Sequence, residues 1–138
     1  MADDAALRKL IDDHHHGVLV TLKRDGRPQL SNVAYAVFGD EVHVSVTEGR
    51  VKTKNLRRDQ RVSLHVTRSD FFAYAVVEGK AELMPVTTDP HDATTDALVE
   101  YYRAVAGEHD DWEEYRTAMV NDQRLIVKVP IERLYGMA

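Results

Sequence analysis

The chain of 138 residues has no cysteine, one tryptophan and four prolines. The lack of cysteine excludes disulfide bonds, thiol catalysis and thiolate metal ligands, and it fits a cytoplasmic location. No run of apolar residues approaches the roughly 18 that a membrane span requires. The acidic opening Met1-Ala2-Asp3-Asp4 is the opposite of a secretory signal. We therefore expect a cytoplasmic protein without a membrane segment.

Several motifs of catalysis and nucleotide binding are missing as well. The sequence contains no Gly-x-Ser-x-Gly elbow, no P-loop and no Gly-x-Gly-x-x-Gly turn. The run His14-His15-His16 resembles a metal site, but side chains of consecutive residues point in different directions and rarely converge on one ion. We therefore predict no metal site, and no catalytic residue can be identified from a motif.

The charge balance limits the class of partner. The formal net charge is -5 and the isoelectric point is near 5.8, whereas nucleic-acid-binding domains are usually basic overall. The length fits one domain over residues 1–138, with no linker or internal repeat. We expect neither a nucleic-acid partner nor a membrane partner.

Alternating apolar residues predict a mainly β protein. The Asp25-Gly26 pair and the Gly39-Asp40 pair mark turns between the first three strands. Asp89 followed by Pro90 predicts the start of a helix that ends at Gly107. The predicted strands are 17–23, 29–38, 42–47, 61–67, 72–83 and 124–135, and the predicted helices lie near 5–13, 49–58, 90–106 and after 110. This order favours a six-stranded antiparallel β-barrel with peripheral helices.

Basic residues are concentrated in one segment. Six of the twelve residues from 50 to 61 are lysine or arginine, which is a third of all basic residues in the chain. Backbone N–H groups at a helix start, with basic side chains beside them, suit a phosphate or a carboxylate. The spacing alone fits an anion site and a solvated basic helix face equally well. The six are Arg50, Lys52, Lys54, Arg57, Arg58 and Arg61.

A second polar set follows the first hairpin turn. Gln29, Ser31 and Asn32 begin a strand that is otherwise apolar and β-branched. These side chains suit hydrogen bonds to a planar ring that carries C=O and N–H groups. They suit the rim of a barrel equally well.

Three segments together resemble one family. Residues 17–22 (GVLVTL), 25–33 (DGRPQLSNV) and 50–59 (RVKTKNLRRD) are similar to the pyridoxamine 5′-phosphate oxidase-like, flavin-binding split β-barrel superfamily. More narrowly, they resemble its short actinobacterial branch, which uses the deazaflavin coenzyme F420. The similarity continues through residues 74–79, 106–112, 115–120 and 130–137 and so covers nearly the whole chain.

The resemblance implies a split β-barrel homodimer with two cofactor sites at the subunit interface. It places the cofactor phosphate near Arg50, Lys52, Thr53 and Asn55. It places the ring against Gln29, Leu30, Ser31, Asn32 and Val46. The basic residues from Lys54 to Arg58 would follow the polyglutamate tail of F420. Of the aromatic residues Phe71, Phe72 and Tyr74, which either line the pocket of the partner subunit or fill the core, we favour Phe72 at the pocket.

We therefore expect an F420-dependent oxidoreductase that transfers a hydride to or from a conjugated small molecule. A deazaflavin carries two electrons as hydride, so the protein mainly orients the reactants and needs no acid–base residue for that step. The accompanying proton would come from solvent or from Tyr35. The alternatives are an FMN-binding oxidoreductase and a non-catalytic protein that binds a flavin, a deazaflavin or haem. A nucleic-acid binder is the weakest of the rivals.

Overall fold

The structure is a computed structural model that describes residues 4–138, so part of the acidic opening, residues 1–3, lies outside the described chain. The helices are α1 (Asp4–Asp12), α2 (Val51–Arg58), α3 (Ala93–Ala106) and α4 (Trp112–Asn121). The strands are β1 (His16–Leu22), β2 (Pro28–Ala34), β3 (Ala36–Phe38), β4 (Glu41–Thr47), β5 (Arg61–Thr67), β6 (Tyr74–Lys80), β7 (Glu82–Leu83), β8 (Arg124–Pro130) and β9 (Arg133–Met137). None of these helices has the length and hydropathy needed to cross a membrane.

The strands form two antiparallel sheets. The five-stranded sheet has the order β2-β1-β5-β6-β9, and we call it the open sheet; the four-stranded sheet has the order β3-β4-β8-β7, and we call it the covered sheet. The prediction of a mainly β fold with helices outside it is confirmed. The prediction of six strands in a split barrel is wrong in its strand count, because nine described strands pair within two separate sheets, and these sheets do not close into a barrel.

Three predicted strands are each divided in two because the chain passes from one sheet to the other. The breaks are at Tyr35 between β2 and β3, at Ala81 between β6 and β7, and at residues 131–132 between β8 and β9. Tyr35 and Ala81 are fully buried, so the apolar alternation continues through the break and hides it from the sequence. At Gly79 a Cβ atom would lie 2.2 Å from the carbonyl oxygen of Pro130, so only glycine allows β6 to pass the end of β8 this closely.

The main core lies between the inner faces of the two sheets. Leu19 and Leu64 of the open sheet face Val44 and Val127 of the covered sheet, and all four are fully buried. Helix α1 contributes Leu7, Leu10 and Ile11 to the same core. Helix α2 contributes Leu56, which fixes the position of the basic segment against β1.

A second core lies on the outer face of the covered sheet. Ile126 of β8 packs there against Leu98 and Val99 of α3 and Tyr115 of α4. Helix α3 begins after Asp92, whose carboxylate accepts a hydrogen bond from the backbone N–H of Thr95 at 2.8 Å. The predicted start at Asp89 is therefore wrong by three residues.

The predicted end of α3 at Gly107 and the predicted start of a further helix after residue 110 are confirmed. Gly107 follows the last residue of α3 with φ at 85°, where glycine avoids a steric penalty. Asp111 caps α4, because its carboxylate accepts from the backbone N–H of Glu114 at 3.1 Å. These ends fix the pair of helices over the covered sheet.

Within residues 4–138, no helix covers the outer face of the open sheet. Leu19 and Thr21 point into the molecule, so the strand alternation directs Val18, Val20 and Leu22 outward. The register extends this face from Val20 across Ser63 and Glu78 to the edge strand β9. Among its exposed apolar side chains are Leu30 (59%), Tyr135 (43%) and Met137 (64%).

Candidate functional site

The basic helix α2 is held in place by its own buried residues. It begins immediately after the loop that follows β4, and the Thr53 hydroxyl donates to the carbonyl oxygen of Thr47 at 2.7 Å. Arg50 occupies the N-cap position without a side-chain cap, and the first helical hydrogen bond runs from Lys54 N–H to Arg50 C=O. The N–H groups of the three preceding residues therefore have no carbonyl partner in the helix.

Three cations gather at this helix start. Burial lowers the pKa of Lys52, and the positive charges of Arg50 and Arg124 lower it further. Within residues 4–138 none of the three has a carboxylate within 4.0 Å, whereas Arg57 pairs with Glu48. Like charges held together in a half-buried place are unfavourable without a counter-charge. This arrangement favours an anion from outside the chain.

Arg124 was not identified by the sequence analysis. It begins β8 opposite Thr47, and its Nη1 donates to the Ser45 hydroxyl at 3.2 Å. Its Nε is the one side-chain nitrogen or oxygen in the described chain that is buried without a hydrogen-bond partner. Arg124 comes near Lys52 only because β8 pairs with β4. In the sequence it is a single basic residue at the start of an apolar strand, and such a residue does not indicate a site.

A chain of hydrogen bonds joins α2 to the first two strands. Arg58 Nη2 donates to Asn55 Oδ1 at 3.1 Å, and Asn55 Nδ2 donates to Thr21 Oγ1 at 3.1 Å. The Thr21 hydroxyl donates to Gln29 Oε1 at 3.0 Å, and Gln29 Nε2 donates to Ser31 Oγ at 2.9 Å. The structure thus brings together three of the predicted site residues. Thr21 was missed because a threonine in a strand is also an ordinary β-former.

The predicted ring-contacting residues do not share one face. Gln29 and Ser31 lie on the inner side of β2 with Thr21, whereas Leu30 and Asn32 lie on the outer side and are exposed. The Val46 side chain is buried in the main core. Gln29, Leu30, Ser31 and Asn32 instead have in common that they lie on β2, the edge strand of the open sheet.

The free edge of β2 carries backbone groups that pair with no other strand of the described chain, although the Leu30 carbonyl oxygen accepts from Gln29 Nε2 at 3.2 Å. β2 is the end strand of the open sheet, and the Tyr35 N–H donates to the His15 carbonyl oxygen at 2.8 Å. Pairing alternates along an antiparallel ladder, so every second residue back from Tyr35 bonds to β1. Leu30 and Asn32 fall between those positions, and their N–H and C=O groups point to the open edge. A planar ring with C=O and N–H groups can pair there as a strand would.

A basic groove runs from the hairpin turn to α2. It has a volume of about 450 Å³, and four of its lining residues are cations while one is a carboxylate. The Asp25 carboxylate accepts from the Arg27 backbone N–H, so part of its negative charge is engaged within the turn. The lining residues are Lys23, Arg24, Asp25, Val51, Lys54, Asn55 and Arg58. The groove suits an extended anion.

Three other residues considered in the sequence analysis, Tyr35, His14 and His15, make hydrogen bonds to backbone carbonyl oxygens. The Tyr35 hydroxyl is fully buried and donates to the Ile11 carbonyl oxygen at 2.6 Å, and burial raises its pKa. The Nδ1 atoms of His14 and His15 hydrogen-bond to backbone carbonyl oxygens. No group of three His, Asp or Glu residues converges as a metal site in the described chain.

Phe72 lies on the surface of the chain. It sits in the turn between β5 and β6 and is 80% exposed, beside Phe71 at 82%. Phe71 has a φ of 70°, an uncommon backbone conformation for a bulky residue. The alternative in which these two phenylalanines fill the core is therefore wrong.

The described chain folds as two antiparallel sheets with four helices, and the basic helix lies beside a free strand edge. A family profile described as pyridoxamine 5′-phosphate oxidase matches residues 3–138, and the chain belongs to this family. The resemblance of the sequence motifs is thereby confirmed.

Individual relatives agree with this family. An F420H(2)-dependent biliverdin reductase from Mycobacterium tuberculosis is 28% identical over 141 residues, covering 100% of this chain and 89% of the relative. A conserved hypothetical protein from the same organism has a TM-score of 0.78 at 24% identity, covering 99% of this chain and 85% of the other. A structure named F420 reductase has a TM-score of 0.71 at 22% identity, covering 93% and 94%.

Proposed function

We propose that the chain is an F420-dependent oxidoreductase that transfers a hydride between the deazaflavin and a conjugated small molecule. The observation that carries this proposal is the cluster of Arg50, Lys52 and Arg124 without a counter-charge, close to the start of α2. The similarity to a relative named an F420H(2)-dependent reductase supports the choice of cofactor.

The anionic part of F420 fits the two basic features of α2. Arg50 and Lys52, with the unpaired N–H groups at the helix start, would hold the phosphodiester. The basic groove beside Lys54 and Arg58 would take the polyglutamate tail, which FMN lacks. Thr53 and Asn55 would hold α2 in position for this site, because both polar side chains are hydrogen-bonded within the protein.

The ring would lie at the free edge of β2. The N–H and C=O groups of Leu30 and Asn32 match a ring edge that carries C=O and N–H groups. The hydrogen bonds from Thr21 through Gln29 to Ser31 fix the side chains beneath that edge. The ring is thereby oriented by backbone groups of a strand, which have little freedom to move.

The bound deazaflavin supplies the hydride chemistry, and the chain supplies binding and orientation. No side chain of the site is assigned as an acid or a base. The Tyr35 hydroxyl is committed to the Ile11 carbonyl oxygen, so of the two proton sources considered we favour solvent. The absence of a catalytic motif is consistent with this division of roles.

We also propose that a second copy of the chain covers the outer face of the open sheet. This face combines apolar side chains around Val20 with charges of both signs, so it can be complementary to itself across a two-fold axis. The exposed Phe72 would then reach the cofactor site of the partner. The mixed charges are Arg61, Glu78, Lys80, Glu132 and Arg133.

The substrate we would test first is a linear tetrapyrrole, because the curated relative is named a biliverdin reductase. Such a molecule is conjugated and would lie against the exposed face of the ring. We place the reaction in the cytoplasm. FMN is the alternative cofactor, and it is consistent with the family.

The test is a fluorescence titration with F420 and, separately, with FMN. We expect F420 to bind more tightly, and Lys52→Ala to weaken it by about 10-fold or more, the effect of losing a hydrogen bond to a charged group. Lys128→Ala is the matched control, because Lys128 lies on β8 away from α2. Tighter binding of FMN would favour the flavin alternative, and binding of neither would refute the proposed activity.

A further inference from the structure

We propose that Arg124 is a third binding residue for an oxyanion at this site, delivered from β8 and held in place by Ser45. The inference rests on the proposed function only for the identity of the ligand. Its basis is geometric, because it follows from an incompletely satisfied guanidinium beside two other unpaired cations.

The position of Arg124 is fixed by three elements that meet at Thr47. β8 places Arg124 opposite Thr47 at the end of β4. Helix α2 is tied to the same residue, because the Thr53 hydroxyl donates to the Thr47 carbonyl oxygen. The cation is therefore anchored on paired strands, while Lys52 and Arg50 come from the helix start.

The hydrogen bonds within the described chain do not satisfy all the N–H donors of the Arg124 guanidinium. Its Nη1 donates to Ser45, but its Nε is buried and has no partner among residues 4–138. The nearby Tyr101 hydroxyl donates to the Ala34 carbonyl oxygen at 3.0 Å, and its oxygen does not accept from the Arg124 Nε. A buried donor without a partner is costly, and buried donors in native proteins are usually satisfied.

A structural role for the charge is also missing. Arg116, on the neighbouring helix α4, pairs with Asp96, yet no carboxylate lies within 4.0 Å of Arg124 in the described chain. The charge of Arg124 instead acts against Lys52, whose pKa it helps to lower. An oxyanion between them would remove both costs at once.

The chemistry of arginine narrows the ligand. A guanidinium binds phosphate or carboxylate oxygens through two parallel N–H groups, which an ammonium cannot do. The oxyanion can belong to the cofactor, as its phosphodiester, or to the substrate, as a carboxylate. Both share the same chemistry at Arg124, and binding experiments separate them.

The variants are Arg124→Gln, which removes the charge, and Arg124→Lys, which keeps it but loses the paired N–H groups. Lys128→Gln is the control, since it removes one positive charge from the same strand. Each variant is titrated with F420 and with a deazaflavin that lacks the phosphate. Thermal unfolding of each variant verifies that the fold is retained.

We expect Arg124→Gln to weaken F420 binding by about 10- to 100-fold, as for a lost hydrogen bond to a charged group, and Arg124→Lys to restore part of it. The phosphate-free deazaflavin should bind all variants equally. If F420 binding is unchanged but the KM for a carboxylate-bearing substrate rises, the oxyanion is that of the substrate. Unchanged F420 binding and unchanged KM would overturn the proposal.

A measurement without the cofactor separates this inference from the proposed function. The Nε–H signal of Arg124 is followed by nitrogen-15 NMR while inorganic phosphate is added. A shift that Lys52→Ala weakens, in a protein that does not bind F420, would support the oxyanion role and refute the cofactor. No shift with phosphate, together with unchanged binding in Arg124→Gln, would overturn the role of Arg124.

Discussion

The outer faces of the two sheets differ in what covers them. Helices α3 and α4 pack on the covered sheet and bury Ile126 completely. No helix of the described chain lies over the outer face of the open sheet, where Leu30 and Met137 are more than half exposed. Both sheets share one inner core, so the difference lies only in their outer surfaces. The difference is consistent with our proposal that a second copy of the chain covers the open sheet.

The charged residues are also distributed unevenly between two regions of the chain. Residues 89–122, which include α3 and α4, contain ten acidic and two basic residues, so the covering helices are strongly negative. Residues 50–61, which include α2, contain six basic residues and one acidic residue. The negative net charge of the chain thus conceals a positive region beside the free edge of β2. An anionic ligand would be drawn to that region and kept from the helices.

The largest expected effect is on the covered sheet. Leu98→Ala removes a fully buried side chain that packs against Ile126, so it should lower the free energy of unfolding by about 2–5 kcal/mol. Leu22→Ala, on the outer face of the open sheet, should cost less because Leu22 is only half-buried. Urea unfolding measures both, and equal losses would contradict the contrast between the two faces.

A charge on the open sheet should break the proposed dimer. Val20→Glu places a carboxylate at the centre of the outer face, so it should raise the dissociation constant of the dimer by about 100-fold, or about 2.8 kcal/mol. Val20→Thr keeps the branched shape and should have a smaller effect. Sedimentation at several concentrations measures the constant. A wild-type protein that stays monomeric would contradict the assignment of this face.

Loss of the Thr21 hydroxyl, on the inner side of the open sheet, should lower both the stability of the fold and the affinity for the cofactor. Thr21→Val keeps the volume but leaves Asn55 and Gln29 each without one hydrogen bond, which should cost about 1–3 kcal/mol of unfolding free energy. It should also weaken cofactor binding. Thr21→Ser should restore both properties, and Ser63→Ala on the outer face should change neither. Urea unfolding and fluorescence titration give the two readings.

The smallest effect concerns the start of α3. Burial alone would raise the pKa of Asp92, but hydrogen bonds from the N–H groups of Thr95 and Thr88 and from the Thr87 hydroxyl lower it to about 2. A lowered pKa stabilises the fold above the ordinary value of 3.8, and this stability is lost as the pH falls toward about 2.

The measurement is the free energy of unfolding of wild type and Asp92→Asn from pH 5 to pH 2. Asparagine is also a good N-cap, so at pH 7 we expect a loss of no more than about 1 kcal/mol. The variant should lose less stability on acidification than wild type. Asp110→Asn, which removes an exposed carboxylate, is the control. Identical acid profiles for Asp92→Asn and wild type would contradict the role of this cap.

The sequence predicted the strands well but not where they end. The alternation in residues 29–38 fits a single strand, yet the chain changes sheet at Tyr35. The sequence does not reveal this break because Tyr35 is itself apolar and fully buried. The prediction of Asp89 as the cap failed for a related reason. Asp89-Pro90 and Asp92 both carry cap signals, and the contacts of Asp92 with Thr87 and Thr95 decided between them.

The candidate site was predicted in part. Local sequence is enough to find Arg50 and Lys52, because basic residues at a helix start are adjacent along the chain. Arg124 and Thr21 are far from them in sequence and come near only through strand pairing and the packing of α2. The outer placement of Leu30 and Asn32 depends on which face of β2 meets the core.

By itself the sequence determined the mainly β class, the family, the basic helix and the turns. These features depend on neighbouring residues, because periodicity, turn chemistry and helix capping act over a few positions. Only the tertiary structure decided that the strands form two sheets, that one outer face stays uncovered, and that Arg124 joins Lys52. Those features depend on contacts between residues distant along the chain, which packing and strand register select and no local pattern encodes.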